Sequence, residues 1–224
     1  MNTINRKYFL TTLICGSALL GCKKETIDAN GGQVTETRSP GHFTHVHTSG
    51  TSPVFITYGS EYKVELRGSE NLIAKFRTTV SGDELAVGYQ YLQPGKDDIR
   101  VYVTLPKLRK VSLSGSATME LDGSFPYLPS FAADISGSGK IKLKGDMEAG
   151  ETRINLSGSG NALLDNFRSE NAELNISGTG DIRTGITEKL KAIISGSGSI
   201  YYSGNPILET SISGTGQVIK KAFR

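Results

Sequence analysis

The second half of the chain alternates apolar and polar residues in short runs, and each run ends in the same small-residue motif. An aliphatic residue is followed by Ser-Gly-Ser/Thr six times, and all copies but the first add a second Gly. The first serines of these copies are 18–22 residues apart. A repeat of about 20 residues is typical of a solenoid, in which each unit stacks on its neighbours.

The alternation around each motif predicts strands with one buried face. Apolar residues occupy every second position before the motif, at Val111/Leu113, Ala133/Ile135, Ile154/Leu156, Leu174/Ile176 and Ala192/Ile194. The polar residues between the first four pairs, Ser112, Asp134, Asn155 and Asn175, point outward, as a period of two requires. A second apolar run, a Gly or Asn turn and one more apolar residue follow in each unit. The sequence therefore predicts an all-β fold, a right-handed parallel β-helix with coils of ~18–22 residues.

The Ser-Gly corners have a structural reason to repeat. Coils stack about 4.8 Å apart, so equivalent residues form ladders. We expect serine hydroxyls to exchange hydrogen bonds along one ladder and glycines to allow a tight bend in the next. No His–Asp pair accompanies the serines, so they are not predicted to be nucleophiles. The predicted ladders are Ser114, Ser136, Ser157, Ser177, Ser195 and Ser213, and Gly115, Gly137, Gly158, Gly178, Gly196 and Gly214.

Residues 41–110 are also rich in strand-forming residues, but their repetition is weaker. Ser49-Gly50, Arg67-Gly68 and Ser81-Gly82 resemble the same corner. We therefore expect one β-helix domain over 41–224, with irregular coils over 41–110 and regular coils over 111–220.

The N-terminus has the features of an export signal. Arg6 and Lys7 precede an apolar stretch that is too short to span a bilayer and that ends in Leu-Leu-Gly before Cys22. This pattern predicts a lipoprotein signal peptide over 1–21, lipid attachment at Cys22 and a flexible tether over 22–40. The protein is then expected in the cell envelope, on the outer membrane, at its periplasmic or its surface face.

Charge and cysteine content narrow the functional classes. The formal charge of the 224 residues is +3, and it falls to +1 without Arg6 and Lys7. A nearly neutral chain does not favour nucleic-acid binding. After processing, Cys22 is the only cysteine that remains, so no intrachain disulfide is expected. Neither a cofactor nor an oligomeric state is indicated.

Several short motifs occur in an order that resembles a known family. Residues 68–73 (GSENLI), 82–85 (GDEL) and 101–108 (VYVTLPKL), followed by the Ser-Gly repeats, are similar to the head GIN domain family. These are autotransporter adhesin-like lipoproteins of Bacteroidetes. The resemblance covers about 40–220. It implies a β-helix-like fold and adhesion, and it carries no catalytic residues.

Enzymatic and metal-binding alternatives have weaker support. Polysaccharide lyases and hydrolases also use β-helices, but here no paired carboxylates fall at equivalent positions of successive coils. The protein is therefore predicted not to be an enzyme. His45 and His47 share a strand face near His42, which is compatible with a metal but is also ordinary for an exposed edge strand.

Binding of a partner is the favoured function. Outward Asp134, Asn155 and Asn175 form a polar ladder that is suited to glycan hydroxyls, although a hydrated ladder is the simpler interpretation. In the loop after Gly123, Phe125 is expected to enter the core and Tyr127 to be exposed. Tyr127, Asp134, Asn155 and Asn175 are the predicted surface for a glycan or a cell-surface protein.

Overall fold

The protein is a β-solenoid whose regular part makes about five turns with a spacing of about 21 residues. The structure is a computed structural model that describes residues 25–223. It confirms the predicted parallel β-helix. The predicted signal peptide and Cys22 lie outside the described residues.

The described chain contains nineteen strands and one short helix. The N-terminal part comprises β1 Glu25–Ile27, β2 Gln33–Arg38, β3 His45–Gly50, β4 Val54–Tyr58, β5 Lys63–Ser69, α1 Glu70–Ile73, β6 Phe76–Ser81, β7 Glu84–Tyr89, β8 Leu92–Pro94 and β9 Arg100–Leu105. The regular part comprises β10 Lys110–Gly115, β11 Thr118–Asp122, β12 Leu128–Gly137, β13 Lys140–Leu143, β14 Met147–Gly158, β15 Asn161–Gly178, β16 Asp181–Gly196, β17 Ser199–Ser203, β18 Ile207–Gly214 and β19 Gln217–Lys220.

Two long parallel columns of strands form the solenoid. The column before the Ser-Gly corner runs through β7, β3, β10, β12, β14, β15, β16 and β18, and the column after it begins with β9, β4, β11 and β13. Every Ser-Gly pair from 114–115 to 213–214 lies opposite its counterpart in the next coil. Ser49-Gly50 adds a seventh member in the same register.

The core lies inside the coils and is aliphatic and aromatic. All ten inward residues predicted before the motif are buried, as is Phe125 from the following loop. Ile176 retains 2% exposure between Leu156 and Ile194 of the adjacent coils. Because residues 25–223 contain no cysteine, burial of this kind supplies most of the stabilisation of the described fold.

The glycine ladder allows the coils to approach closely at the corner. Gly158 has φ +115°, and a Cβ there would lie 2.6 Å from the carbonyl oxygen of Gly137. That oxygen accepts hydrogen bonds of 2.9 Å from the backbone N–H groups of Ser159 and Gly160. A side chain would therefore collide with the carbonyl that links the coils.

The N-terminal end of the solenoid does not follow the chain order that the sequence predicted. β3 and β4 form the coil next to β10 and β11, while the later strands β7 and β9 lie on their other side. Antiparallel β6 and β5 then flank β7 and β9. Consequently Gly68 lies within antiparallel β5 and Gly82 lies in the β6–β7 hairpin, so these two are not coil corners.

Residues 25–38 differ from the flexible tether predicted over 22–40. β1 pairs with β8, and all six residues of β2 pair antiparallel with β5. Arg38 fixes the end of β2, because its guanidinium donates to the carbonyl oxygens of Phe76, at 2.8 Å, and Ile73, at 3.3 Å. β2 is exposed along nearly all of its length, so backbone hydrogen bonds rather than burial hold it in place.

The last coil exposes side chains that earlier coils bury. Leu208 and Ile212 lie in register with buried Leu190 and Ile194, yet both are exposed. Ile207, the apolar residue that follows the second turn of this coil, is 76% exposed, whereas its counterparts Phe125, Met147, Phe167 and Ile186 are buried. Within residues 25–223, no helix has the length and apolarity needed to cross a membrane.

Candidate functional site

The outer face of the first strand column carries the predicted polar ladder. Side chains two residues apart on a strand share a face and stand about 7 Å apart. On this face the central ladder runs through His47, Ser112, Asp134, Asn155, Asn175 and Ile193, and the serine ladder runs beside it from Ser49 to Ser213.

A groove of about 420 Å³ lies between these two ladders, parallel to the solenoid axis. Its walls are Asp134, Asn155 and Asn175 on one side and the corner serines 114–195 on the other. The strand segment around Leu113, Ile135, Leu156 and Ile176 forms the floor, because their side chains point into the core. The structure therefore brings the two predicted ladders together as the walls of one groove.

Hydrogen bonds along the axis order the central ladder. Asn175 Nδ2 donates to Asn155 Oδ1 at 2.9 Å, and Asn155 Nδ2 donates to Asp134 Oδ1 at 2.8 Å. Lys110 Nζ lies 2.6 Å from the other carboxylate oxygen of Asp134. Burial raises the pKa of Asp134, but the hydrogen bonds from Lys110 and Asn155 outweigh it, so the net pKa lies below the ordinary value. The ladder is thus an ordered array that ends in an ionised carboxylate.

The serine ladder has a different hydrogen-bond pattern from the one expected. Hydroxyl bonds along the axis join the third residues of the motif, from Thr179 to Ser159 at 3.0 Å and from Thr215 to Ser197 at 2.9 Å. The first serines of the motif are exposed from Ser136 onward, and those from Ser136 to Ser195 line the groove. Their hydroxyls are available to a ligand.

A hydrogen-bonded Ser–His–Glu group occupies the N-terminal end of the groove. His45 Nε2 lies 2.8 Å from Ser112 Oγ, and His45 Nδ1 lies 3.0 Å from Glu84 Oε2. Sequence reasoning missed this group, because its members come from β3, β7 and β10 and meet only through the out-of-order stacking of β7. The period-two pattern of each strand places all three on the outer face, and this was the only available signal.

A second groove, of about 410 Å³, runs along the other edge of the same face. Its lining contains basic Arg109, Arg153, Lys189 and Lys191 together with Glu151 and Glu173. Arg153 and Glu173 form an ion pair at 2.9 Å. The face therefore offers a neutral polar groove beside a charged one.

Tyr127 lies away from the groove, at an exposed corner. It retains 55% exposure, and its hydroxyl donates to Glu170 Oε1 at 3.0 Å. The hydrogen bond to Glu170 raises the pKa of Tyr127. The structure thus exposes Tyr127, as predicted, but does not bring it together with Asp134, Asn155 and Asn175.

The three histidines do not converge. His45 bonds Ser112 and Glu84, whereas the ring of His42 lies 5.0 Å from that of Tyr62. Among the described residues, no group of three or more His, Cys, Asp and Glu side chains is arranged to hold a metal ion.

A family model with the description "Putative auto-transporter adhesin, head GIN domain" matches residues 42–206. The chain belongs to this head GIN domain family. The match covers well over half of the sequence and includes both the groove and the Ser–His–Glu group. No curated protein matches the chain.

Three solved structures are similar to this head GIN protein. A "putative adhesin" from Bacteroides fragilis NCTC 9343 is 19% identical, with a TM-score of 0.67, over 87% of this chain and 100% of that one. A "putative lipid binding protein" from Parabacteroides distasonis ATCC 8503 is 19% identical, with a TM-score of 0.64, over 88% and 100%. A "putative adhesin" from Parabacteroides merdae ATCC 43184 is 18% identical, with a TM-score of 0.55, over 88% and 99%. At these identities the likeness shows the shared fold.

Proposed function

We propose that this head GIN protein is an exported, lipid-anchored adhesin that binds a glycan along its outer groove. The observation that carries the proposal is the groove between the Asp134–Asn155–Asn175 ladder and the serine ladder. The family description, an adhesin, agrees with a binding role.

The chemistry of the groove suits a sugar polymer. Amides and hydroxyls both donate and accept hydrogen bonds, as glycan hydroxyls do. They recur about every 4.8 Å along the axis, a spacing close to the length of one sugar unit. The ladder bonds use one N–H of each Asn, and each amide group has two. Successive residues of an extended glycan can therefore meet equivalent partners in successive coils.

A neutral polymer fits this groove better than a charged one. The Asp134 carboxylate is already paired with Lys110, so the groove offers no unpaired cation to a uronic or sulfated sugar. Half-buried Ile193 extends the ladder beyond Asn175 and provides an apolar contact for the C–H face of a ring.

Lipid attachment at Cys22 would hold this surface at the membrane. Cys22 lies shortly before β1, and β1 pairs with β8 near the N-terminal end of the solenoid. Cys22→Ser is expected to abolish incorporation of labelled palmitate and to release the protein from the membrane fraction. Unchanged labelling in this variant would contradict the anchor without affecting the groove.

Glycan binding can be tested on a panel of immobilised neutral and acidic polysaccharides. The protein should be retained by a neutral polymer, and the double variant Asn155→Ala/Asn175→Ala should lose about 5- to 150-fold in affinity, since two hydrogen bonds contribute about 0.5–1.5 kcal/mol each. Asn205→Ala is the matched control, because it removes an exposed amide, bonded to Lys220, outside the groove. Equal retention of all three proteins, or of none, would refute the site.

A further inference from the structure

We propose that Ser112, His45 and Glu84 form a hydrolytic site for small carboxylic esters at the N-terminal end of the outer groove. Ser112 would be the nucleophile and His45 the general base, and Glu84 would position the imidazole. This activity goes beyond adhesion and does not require that a glycan bind in the groove.

The hydrogen bonds give each residue its role. Ser112 Oγ and His45 Nε2 lie 2.8 Å apart, within reach for direct proton transfer. His45 Nδ1 lies 3.0 Å from Glu84 Oε2, so we assign the ring proton to Nδ1, which leaves Nε2 to accept from Ser112 Oγ. This is the order of nucleophile, base and acid that serine hydrolases use on unrelated folds.

The surroundings keep the imidazole in the form that a base needs. Burial lowers the pKa of His45 below its ordinary value of 6.5. Glu84 and Asp134 raise this pKa, while Lys110 and His47 lower it, and the net direction is downward. These are the charged and titratable groups that face the ring, and at neutral pH they leave His45 unprotonated.

A substrate would reach Ser112 through the groove, since this largely buried serine is one of the residues that line it. Ser112 is 8% exposed and lines the groove wall beside Asp134. Lys110, two residues before it on the same face, places its ammonium 2.6 Å from the Asp134 carboxylate, which adjoins Ser112 in the ladder. Lys110 also acts on the imidazole, where it lowers the pKa of His45, so its ammonium, shared with Asp134, would be the charged group that stabilises a developing oxyanion.

The expected bond is an ester rather than an amide. β10 pairs on both edges, with β3 and β12, so its backbone N–H groups are used by the sheet and cannot form a backbone oxyanion hole. A site with one side-chain cation suits an acyl group with a good leaving group.

The reaction balances with water as the only co-reactant. Ser112 Oγ attacks the acyl carbon and its proton moves to His45 Nε2. The ester C–O bond breaks and the alcohol leaves with that proton, which gives an acyl-serine. Water then attacks the acyl carbon, again through His45, and the acid departs as Ser112 regains its proton.

The purified full chain provides the test, with a fluorophosphonate probe and p-nitrophenyl acetate. Mass spectrometry should map one adduct to Ser112 of the unmodified sequence, a result that needs no variant to fold. Ser112→Ala should remove labelling and reduce hydrolysis to the buffer rate, and His45→Gln should slow hydrolysis by about 10²–10⁴-fold. Ser116→Ala removes an exposed serine of the same coil and should change neither readout.

The positioning role of Glu84 has its own readout. Because the carboxylate raises the pKa of His45, Glu84→Gln should slow hydrolysis and also shift the midpoint of its pH–rate profile to lower pH. Absence of an adduct, an adduct at another residue, or wild-type rates in Ser112→Ala would overturn the proposal. None of these outcomes would affect retention on polysaccharide.

Discussion

Asn175 donates a 2.9 Å hydrogen bond to Asn155 in the preceding coil, while its neighbour Ile176 packs inward against the core. These consecutive residues of one strand therefore point in opposite directions, Asn175 to the outer face and Ile176 to the core. Ile176→Ala is expected to lower the free energy of unfolding by about 2–5 kcal/mol, from lost burial and the cavity that remains. Asn175→Ala should cost about 1 kcal/mol or less, since it removes one partly buried hydrogen bond. Urea melts of both variants give the comparison, and equal losses would contradict the assignment of faces.

The glycine ladder permits a test of coil stacking. Gly158 and Gly50 have nearly equal φ angles, +115° and +113°, and belong to the same ladder. An added Cβ at Gly50 meets nothing within 4 Å, whereas at Gly158 it lies 2.6 Å from the Gly137 carbonyl oxygen. Gly50→Ala should therefore cost about 1–2 kcal/mol from backbone strain alone. Gly158→Ala should add about 1–3 kcal/mol from overpacking. Equal losses of melting temperature in the two variants would show that the close approach of the coils at Gly158 does not limit stability.

The regular coils could be predicted from sequence because local signals repeat there. Each coil combines a period-two alternation, which identifies the buried face, with a Ser-Gly corner, which sets the register of the next coil. Asn155 and Asn175 were assigned to one outward ladder for this reason. The groove lies between this ladder and the serine ladder, because both ladders are on the same face.

The N-terminal part could not be predicted in the same way. β2 is exposed on both faces, so its sequence lacks alternation although its backbone is fully paired with β5. The stacking of β7 on β3 depends on pairing across distant parts of the chain, which no local pattern encodes. The Ser112–His45–Glu84 group depends on that stacking, which explains why the sequence suggested no base for any serine.

Arg38 allows the ordering of β2 to be measured. Its guanidinium donates to Phe76 O at 2.8 Å, Thr78 Oγ1 at 3.1 Å and Ile73 O at 3.3 Å. Arg38→Gln should lower the free energy of unfolding by about 1.5–3 kcal/mol, because charge-assisted bonds to partly buried acceptors are lost. Arg100→Gln makes the same change at an exposed site on β9 and should stay within about 0.5 kcal/mol. A flexible tether would instead leave both variants at wild-type stability.

His45 predicts a pH dependence of stability. Burial, its largest influence, lowers the folded-state pKa below 6.5, so the unfolded chain binds the proton more tightly. The stabilisation is therefore complete above about pH 6.5 and decreases as the pH falls from there to the folded-state pKa. His45→Gln should show a smaller loss of melting temperature between pH 7.5 and pH 5.5 than the unmodified chain. A larger loss in the variant would mean that folding raises the pKa of His45 instead of lowering it.

Phe125 and Tyr127 belong to one loop, but Phe125 is buried in the core and Tyr127 lies on the surface. Phe125 is 6% exposed and its ring lies 5.9 Å from that of Tyr58, so Phe125→Ala should cost about 3–5 kcal/mol. Tyr127 is largely exposed and its hydroxyl donates to the exposed carboxylate of Glu170, so Tyr127→Ala should leave the melting temperature nearly unchanged.

Tyr127 also serves as a test of a second contact point. An aromatic contact contributes about 0.5–1.5 kcal/mol, so Tyr127→Ala should weaken polysaccharide retention by about tenfold at most. The loss of retention by Tyr127→Ala is compared with the loss by the double variant Asn155→Ala/Asn175→Ala on the same polymer. Because Tyr127 lies outside the groove, its effect should add to that of the double variant, as independent sites do. Full retention by Tyr127→Ala would show that the ligand does not contact Tyr127 and binds in the groove alone.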